Sequence, residues 1–490
     1  MSISGTSPTS SNDAAALKFV DFVNASPTPY HAVAKAVARL DKAGFTKISE
    51  SSDWSKIIKP GKGYYFTRNQ SALAAFAVPS SFISGQSGVG LIATHVDSCC
   101  LKIRPVSNKV KGDWLQVACE LYGGGIWRSW FDRDLSLAGR VIVQTEDEKF
   151  VSKLIKIDRP LLRIPSLAIH LDRGSNDSFT FNKETQFTPI LGLVSSILNS
   201  PSASAASTFA TPVGSPEMKE KHHPALLGLL AEELGCKADE IQDFELCLYD
   251  TQPACLGGLS NEFIFSPRID NLMSSFAAVE ALTDSFTNAG SALSSSPAPA
   301  SAILLFDHEE VGSVSHHGAE SNMLPSLVTR LTAAGLNVSE ADSSTIVGRT
   351  DEALAKSFLV SADMGHAMHP NFAEKHQELH QPSMGGGVVI KTNANQRYTS
   401  NAQTTFVLRR IAKIAGVPLQ EFEVRNDSTC GSTVGPHLST NVRTVDIGLA
   451  QLAMHSIRET AGSKDVAYYI AFMRTFFEQF GKVDQELTVD

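Results

Sequence analysis

Three apolar runs in this chain stop abruptly at polar side chains, and this constrains the fold more than any other feature. VGLIATHVD (Val89 to Asp97) carries His95 and Asp97 at its end. The run Ile303–Phe306, within SAILLFDHEEVGS, is followed by the adjacent carboxylates Glu309 and Glu310, and Phe358–Ala362 runs into Asp363. Short continuous apolar runs read as strands buried in a sheet covered by helices. In open α/β sheets functional groups gather at the carboxyl ends of such strands, which is where His95, Glu309, Glu310 and Asp363 fall.

The helices that would cover the sheet are legible by their period. Ala14–Val23 and His31–Leu40 are helical, separated by the breaker ASPTPY. IDNLMSSFAAVEALTDSF repeats Leu272, Phe276, Val279 and Phe286 at helical spacing, with Asp270 at its start. DVAYYIAFMRTFFEQF, between Asp465 and Phe480, reads as a long amphipathic helix. Further strand-like runs lie at Ala302–Phe306, Gly387–Thr392, Phe422–Arg425 and Arg443–Leu449.

From about Leu101 to Cys255 the character changes. LKIRPVSNKV, WLQVACELYGGG, LAGRVIVQT and SLAIHLD are short β-type segments between Gly, Pro and charged turns. A Ser/Ala/Pro stretch, Asn199–Pro216, reads as a mobile loop. It leads through Lys219–His223, with His222 and His223 as loop residues, into the helix ALLGLLAEELG. A second Ser/Pro loop, SALSSSPAPAS, precedes the Glu–Glu strand. The expected fold is α/β, a central sheet flanked by helices. It is built from residues 1–101 (1–12 a disordered tail) and 256–490, and interrupted by a β-rich insertion over 102–255.

At 490 residues the chain exceeds one ordinary core. A net charge of −9 argues against a nucleic-acid surface. No apolar run approaches the roughly 18 residues of a membrane span, and MSISGTSPTSSNDAAA lacks the basic start and apolar core of a signal peptide. Seven cysteines without framework spacing read as reduced thiols. The expected compartment is therefore the cytoplasm.

Taken singly, each polar residue has an ordinary explanation. Adjacent acids form solvated turns, an Asp before a helix is an N-cap, and a histidine on a strand is usually structural. Together they offer His nitrogen and carboxylate oxygen, the donors zinc prefers. Two ions roughly 3.5–4 Å apart would need a bridging carboxylate. The segments ATHVDS, SPRIDN, DHEEVGS, SADMGHAMHPN and LAMHSIRE occur in that order at compatible separations. With them the chain resembles the aspartyl aminopeptidase family of dinuclear-metal peptidases, from about Ala14 to the last helix.

The resemblance implies roles residue by residue. Asp270 bridges two divalent ions, most simply zinc, with manganese or cobalt suited to one site. His95 and Asp363 hold one ion, Glu310 and His455 the other. Glu309 is the general base, and Asp97 orients the His95 imidazole. Lys391 in GGVVIKTN, with Tyr398 beside it, would receive an acidic substrate side chain, although a lysine closing an apolar strand is ordinarily exposed. His366 approaches substrate, and His170 acts at a neighbouring subunit's site. The implied fold is that of zinc-dependent exopeptidases, with the β-rich insertion over 102–255 as an assembly domain and vacuolar delivery as the second compartment. The implied protein is a homo-oligomer, a dodecamer, that removes N-terminal Asp, with Glu second, from peptides, with no nucleic-acid or membrane partner.

The competing readings are a neutral-specific metallo-aminopeptidase or related deacylase, and a silent assembly or cargo protein. His376 and His380 stand at i,i+4 in HQELH, but the Glu is misplaced for a zinc-peptidase helix. His308 and His437 receive no role.

Overall fold

The computed structural model of the protein describes residues 11–198, 216–287, 298–334 and 343–489. Most of both expected Ser/Pro loops and the first ten residues of the expected tail lie outside the described residues; Ser11 already begins the helix Ser11–Asn24. The chain divides into two compact units. Met1–Ser98, Ala254–Met454 and Arg458–Asp490 form the first, and Cys99–Pro253 with His455–Ile457 the second.

The first unit is built on a nine-stranded sheet. Its order is Thr46–Lys47, Lys62–Arg68, Ala72–Val78, Ala300–Phe306, Val89–His95, Phe358–Ala362, Arg443–Gly448, Val388–Lys391 and Leu419–Phe422. The four strands beginning at Ala300, Val89, Phe358 and Arg443 are mutually parallel. Their apolar residues alternate between two cores. Ile92, Ile303, Val360 and Val445 pack with Phe276, Phe472, Phe476 and Phe480 of the helices Ile269–Thr287 and Ser463–Gln485. Leu91, Leu304 and Leu359 face the other way, onto Leu324, Leu327 and Leu331 of the helix Met323–Ala334. Burial on both faces explains why these strands read as unbroken apolar runs. Each phenylalanine so enclosed contributes roughly 1.5–3 kcal/mol.

A smaller five-stranded sheet in the same unit runs Cys255–Gly257, Phe263–Ser266, Glu459–Gly462, Ala450–Leu452 and Gly365–His366. The strand foreseen at Phe422–Arg425 instead spans Leu419–Phe422, so the apolar pattern marked its end.

The second unit is a six-stranded antiparallel sheet, ordered Phe150–Lys156, Leu135–Gln144, Ile241–Asp250, Cys100–Lys111, Trp114–Tyr122 and Ile190–Leu193. Leu137, Val141, Leu246 and Leu248 pack with Leu226, Leu227 and Leu230 of the helix Pro224–Leu234. The expected β-segment SLAIHLD is not a strand. Its backbone turns, with the Leu171 N–H donating to the Ala168 carbonyl (2.8 Å), and Leu167, Ile169 and Leu171 are exposed. Period-2 apolarity here marks a surface.

His222 and His223 also differ from their reading as loop residues. The His223 ring accepts from the Ala225 N–H and caps the helix Pro224–Leu234. His222 is buried, its Nδ1 2.8 Å from Ser107 Oγ and its ring 4.4 Å from that of Phe244. Burial depresses its pKa to about 4. The unfolded chain, with a histidine pKa near 6.5, therefore takes up a proton at a pH where the folded chain does not. The stabilisation is complete above about pH 6.5 and is lost as pH falls toward 4, on the order of 2 kcal/mol at pH 5. Replacing His222→Gln should flatten the fall in unfolding midpoint between pH 7.5 and 5, read by calorimetry.

Candidate metal centre

The parallel strands bring their carboxyl ends to one edge of the first unit. His95 is the last residue of Val89–His95, paired with Phe306. Asp363 follows Phe358–Ala362, its N–H donating to the Ile447 carbonyl of the next strand (3.0 Å). Glu309 and Glu310 sit on a short 3-10 turn, Glu309–Val311, flanked by His308 (φ 64°) and Gly312 (φ 107°). Asp270 precedes the regular part of its helix with non-helical dihedrals (φ −80°, ψ 111°). Its side chain is thus set by the strand-to-helix bend.

These residues converge. His95 Nε2 lies 3.4 Å from Asp270 Oδ1, 3.6 Å from Asp363 Oδ1 and 3.8 Å from Glu309 Oε2. Its other nitrogen, Nδ1, is 3.3 Å from Asp97 Oδ1 and 3.1 Å from the Asp97 carbonyl oxygen. A proton on Nδ1 leaves Nε2 as the lone-pair atom turned toward the carboxylates. Asp97 is fully buried, and its two oxygens also accept the Glu309 and Glu310 backbone N–H groups at 3.2 and 3.1 Å.

The electrostatics describe an anionic cluster. Burial opposes a charge on His95, yet Glu309, Asp270, Asp363 and Asp97 outweigh it and push the imidazole pKa well up. Burial, reinforced by the charges of Asp363, Glu310 and Asp97 and opposed by His95, pushes the Glu309 carboxyl well up. Asp363 Oδ1 is buried and accepts no hydrogen bond. One imidazole and several carboxylates, with an acceptor oxygen left to be satisfied, fit a divalent cation of the zinc type.

Lys391 is the departure from ordinary strand-end behaviour. It is only 2% exposed, its Nζ donating to the Met364 carbonyl (2.6 Å), 3.8 Å from Asp363 Oδ2 and 5.2 Å from the centre of the Tyr398 ring. Gly448 allows this approach, since a Cβ there would lie 2.0 Å from the Asp363 carbonyl oxygen and 3.0 Å from Lys391 Cε. Burial, then Cys430, pushes the Tyr398 phenol well above its ordinary pKa.

The other expected residues have the following local settings. His366 is exposed, its ring 5.9 Å from that of Phe422. His170 lies on the exposed turn of the second unit. His455 is grouped with the second unit, in the left-handed region (φ 65°), with Nδ1 3.2 Å from the Gly124 carbonyl oxygen. His376 and His380 lie on no common helix; His376 Nε2 accepts the His369 N–H at 3.0 Å.

Sequence reasoning missed Glu459. It is buried, Oε2 accepting the Asp270 N–H (3.1 Å) and Oε1 the Gln451 amide (3.1 Å), so it fixes the backbone from which Asp270 projects. The signal was available, as Glu459 closes the motif LAMHSIRE. Ser98 and Ser275 were also missed; their hydroxyls donate to the carbonyls of Asp270 and His95, each at 2.7 Å.

Comparison with known proteins agrees with this chemistry. The aspartyl aminopeptidase of Aspergillus oryzae is 49% identical over 97% of this chain and 98% of its own. The solved Ape4–Nbr1 complex contains a chain 44% identical, with a TM-score of 0.89, over 98% of this chain and 88% of that one. The S. cerevisiae mApe1 dodecamer gives 30% identity and a TM-score of 0.81, over 97% of this chain and 98% of that one. Residues 22–477 match the model of the aminopeptidase I zinc metalloproteases, M18. The protein belongs to this M18 family of metallo-aminopeptidases.

Proposed function

We propose that this metallo-aminopeptidase removes N-terminal Asp, with Glu as the second candidate, from peptides, using two divalent ions and Glu309 as general base. The observation that carries the reading is the convergence of His95 Nε2, Asp270, Asp363 and Glu309 within 3.8 Å at the strand edge. Asp270 would bridge, with His95 and Asp363 toward one ion; the family resemblance assigns Glu310 and His455 to the other. Bound zinc supplies Lewis acidity toward water and the scissile carbonyl oxygen.

The chain's own groups do the proton work. Glu309 takes the proton of the attacking water as its oxygen bonds to the carbonyl carbon, then returns it to the amine nitrogen as the C–N bond breaks. The high pKa imposed on Glu309 by burial and its anionic neighbours suits a group that must hold that proton between the two steps. Asp97 keeps the His95 ring and the Glu309 backbone in fixed relation. Lys391, buried beneath the Tyr398 ring, supplies the positive charge for an acidic substrate side chain, and His366 stands on the substrate's approach.

The second unit presents Val106, Trp114, Phe150, Leu167 and Leu171 to solvent. Contacts between copies that covered such side chains would be favourable. With the mApe1 dodecamer as a relative, they support a homo-oligomer, a dodecamer, in which His170 serves a neighbouring subunit. No described helix is long and apolar enough to cross a membrane, and the proposed compartment is the cytoplasm.

Hydrolysis of matched Asp-, Glu-, Ala- and Leu-amides, before and after chelation and zinc or manganese add-back, tests the reading. Acid-selective, metal-restored cleavage is expected; neutral-selective cleavage would sink the Lys391 assignment. Glu309→Gln should lower kcat about 10²–10⁴-fold with metal content unchanged. Lys391→Met should cut the Asp-to-Leu ratio of kcat/KM by roughly 10²-fold or more, while an unchanged ratio would leave the neutral-specific reading standing. Asp97→Asn should loosen metal about 10–100-fold in chelator competition.

A further inference from the structure

A second group of metal-competent side chains lies beside the centre already described and is used by none of its chemistry. Asp307, His308 and His317 bring one carboxylate oxygen and two imidazole nitrogens within 4.8 Å of one another. Both His308 Nε2 and His317 Nε2 lie 3.7 Å from the same atom, Asp307 Oδ2. That distance is too long for a hydrogen bond. It is close to the roughly 3.3–3.5 Å separating two ligands held 2.0–2.2 Å from one tetrahedral ion. The imidazole ring centres are 4.4 Å apart, with the ring planes inclined by 54°.

The surroundings are built for ligation. Asp307 is buried, and its other oxygen, Oδ1, accepts the His308 N–H at 2.9 Å, which aims Oδ2 at the two rings. His308 Nδ1 lies 3.0 Å from Ser315 Oγ, the kind of outer contact that fixes a ligating histidine's tautomer. Asn69 Nδ2 is 3.4 Å from His317 Nε2; turning that amide over would present its oxygen as a further donor. His308 holds a left-handed backbone (φ 64°), uncommon for a non-glycine residue and found more often at functional positions.

We infer that Asp307, His308 and His317 form an additional site for one divalent transition-metal ion of the zinc class. Two imidazoles and a carboxylate select zinc, nickel or copper over magnesium or calcium. The Asp307 N–H donates to the His317 carbonyl (3.1 Å), so the three ligands close the base of the loop that carries Glu309 and Glu310. An ion there would pin that loop without touching substrate.

Zinc-saturated enzyme, freed of loosely held metal by gel filtration, is titrated with further zinc by calorimetry beside His308→Asn and His317→Gln. One additional equivalent per chain is expected, weakened roughly tenfold or more in each variant, with unfolding midpoints matching the wild type before zinc is added. Copper added to the zinc-saturated wild type should give an electron paramagnetic resonance spectrum split by two nitrogens. Each ion of the proposed catalytic pair has a single histidine, so this signature separates the sites. No further equivalent, an equivalent undiminished in both variants, or a copper spectrum without two-nitrogen splitting overturns the inference; the last holds even if a variant fails to fold.

Discussion

The buried carboxylate of Asp97 is the joint on which the candidate metal centre depends. One oxygen faces His95 Nδ1 at 3.3 Å, and the two together accept the N–H groups of Glu309 and Glu310. A carboxylate with no solvent contact is costly unless its lone pairs are met by donors. Here the donors that meet that cost belong to the groups needing alignment. The imidazole is fixed because Asp97 is satisfied by it, and the Glu309 turn is fixed for the same reason.

Around that joint the charges do not balance. Asp97, Asp270, Glu309, Glu310 and Asp363 gather about one imidazole, and the upward displacement of the His95 and Glu309 pKa values expresses the same excess of negative charge. Lys391 offsets part of it, 3.8 Å from Asp363 Oδ2. A buried ammonium is tolerated only beside such a partner. The anionic cluster therefore accounts for a lysine where an apolar strand would otherwise end in solvent. A divalent cation would relieve the remainder, so the proposed ligand set and the buried lysine would share one cause.

Much of this was legible in the sequence because both faces of the parallel sheet are covered. Phe358–Ala362 is a strand at the expected residues, and Val89–His95 stops two residues short of the expected Asp97. Runs without alternation are what double burial produces, and polar residues at their ends are conspicuous. Glu459 was not legible in that way. It acts through the Asp270 backbone N–H from a strand of a different sheet, and no local period reports such a contact. SLAIHLD misled for the opposite reason. Its alternation is real, but the apolar set faces solvent, and period alone does not distinguish a half-buried strand from a sticky turn. His222 looked like a loop residue because it precedes a proline-started helix; its burial comes from Phe244 and Ser107, distant in sequence.

The site is unequally supported along its length. His95 and Asp363 stand on or next to central parallel strands, whose positions follow from ladders and two packed faces. Glu309 stands on a turn outside the ladders, bounded by two residues of positive φ. Its place rests on Asp97 from one side and on closure of the Asp307–His317 base from the other. A general base must keep hydrogen-bond reach of its proton through both transfers, and displacements near 1 Å suffice to slow such chemistry. In the proposed role of Glu309, the element whose position would matter most for proton transfer therefore lies outside the sheet ladders. Its second restraint coincides with the Asp307, His308 and His317 cluster, so ligation there would bear first on Glu309 and only weakly on residues held by the sheet.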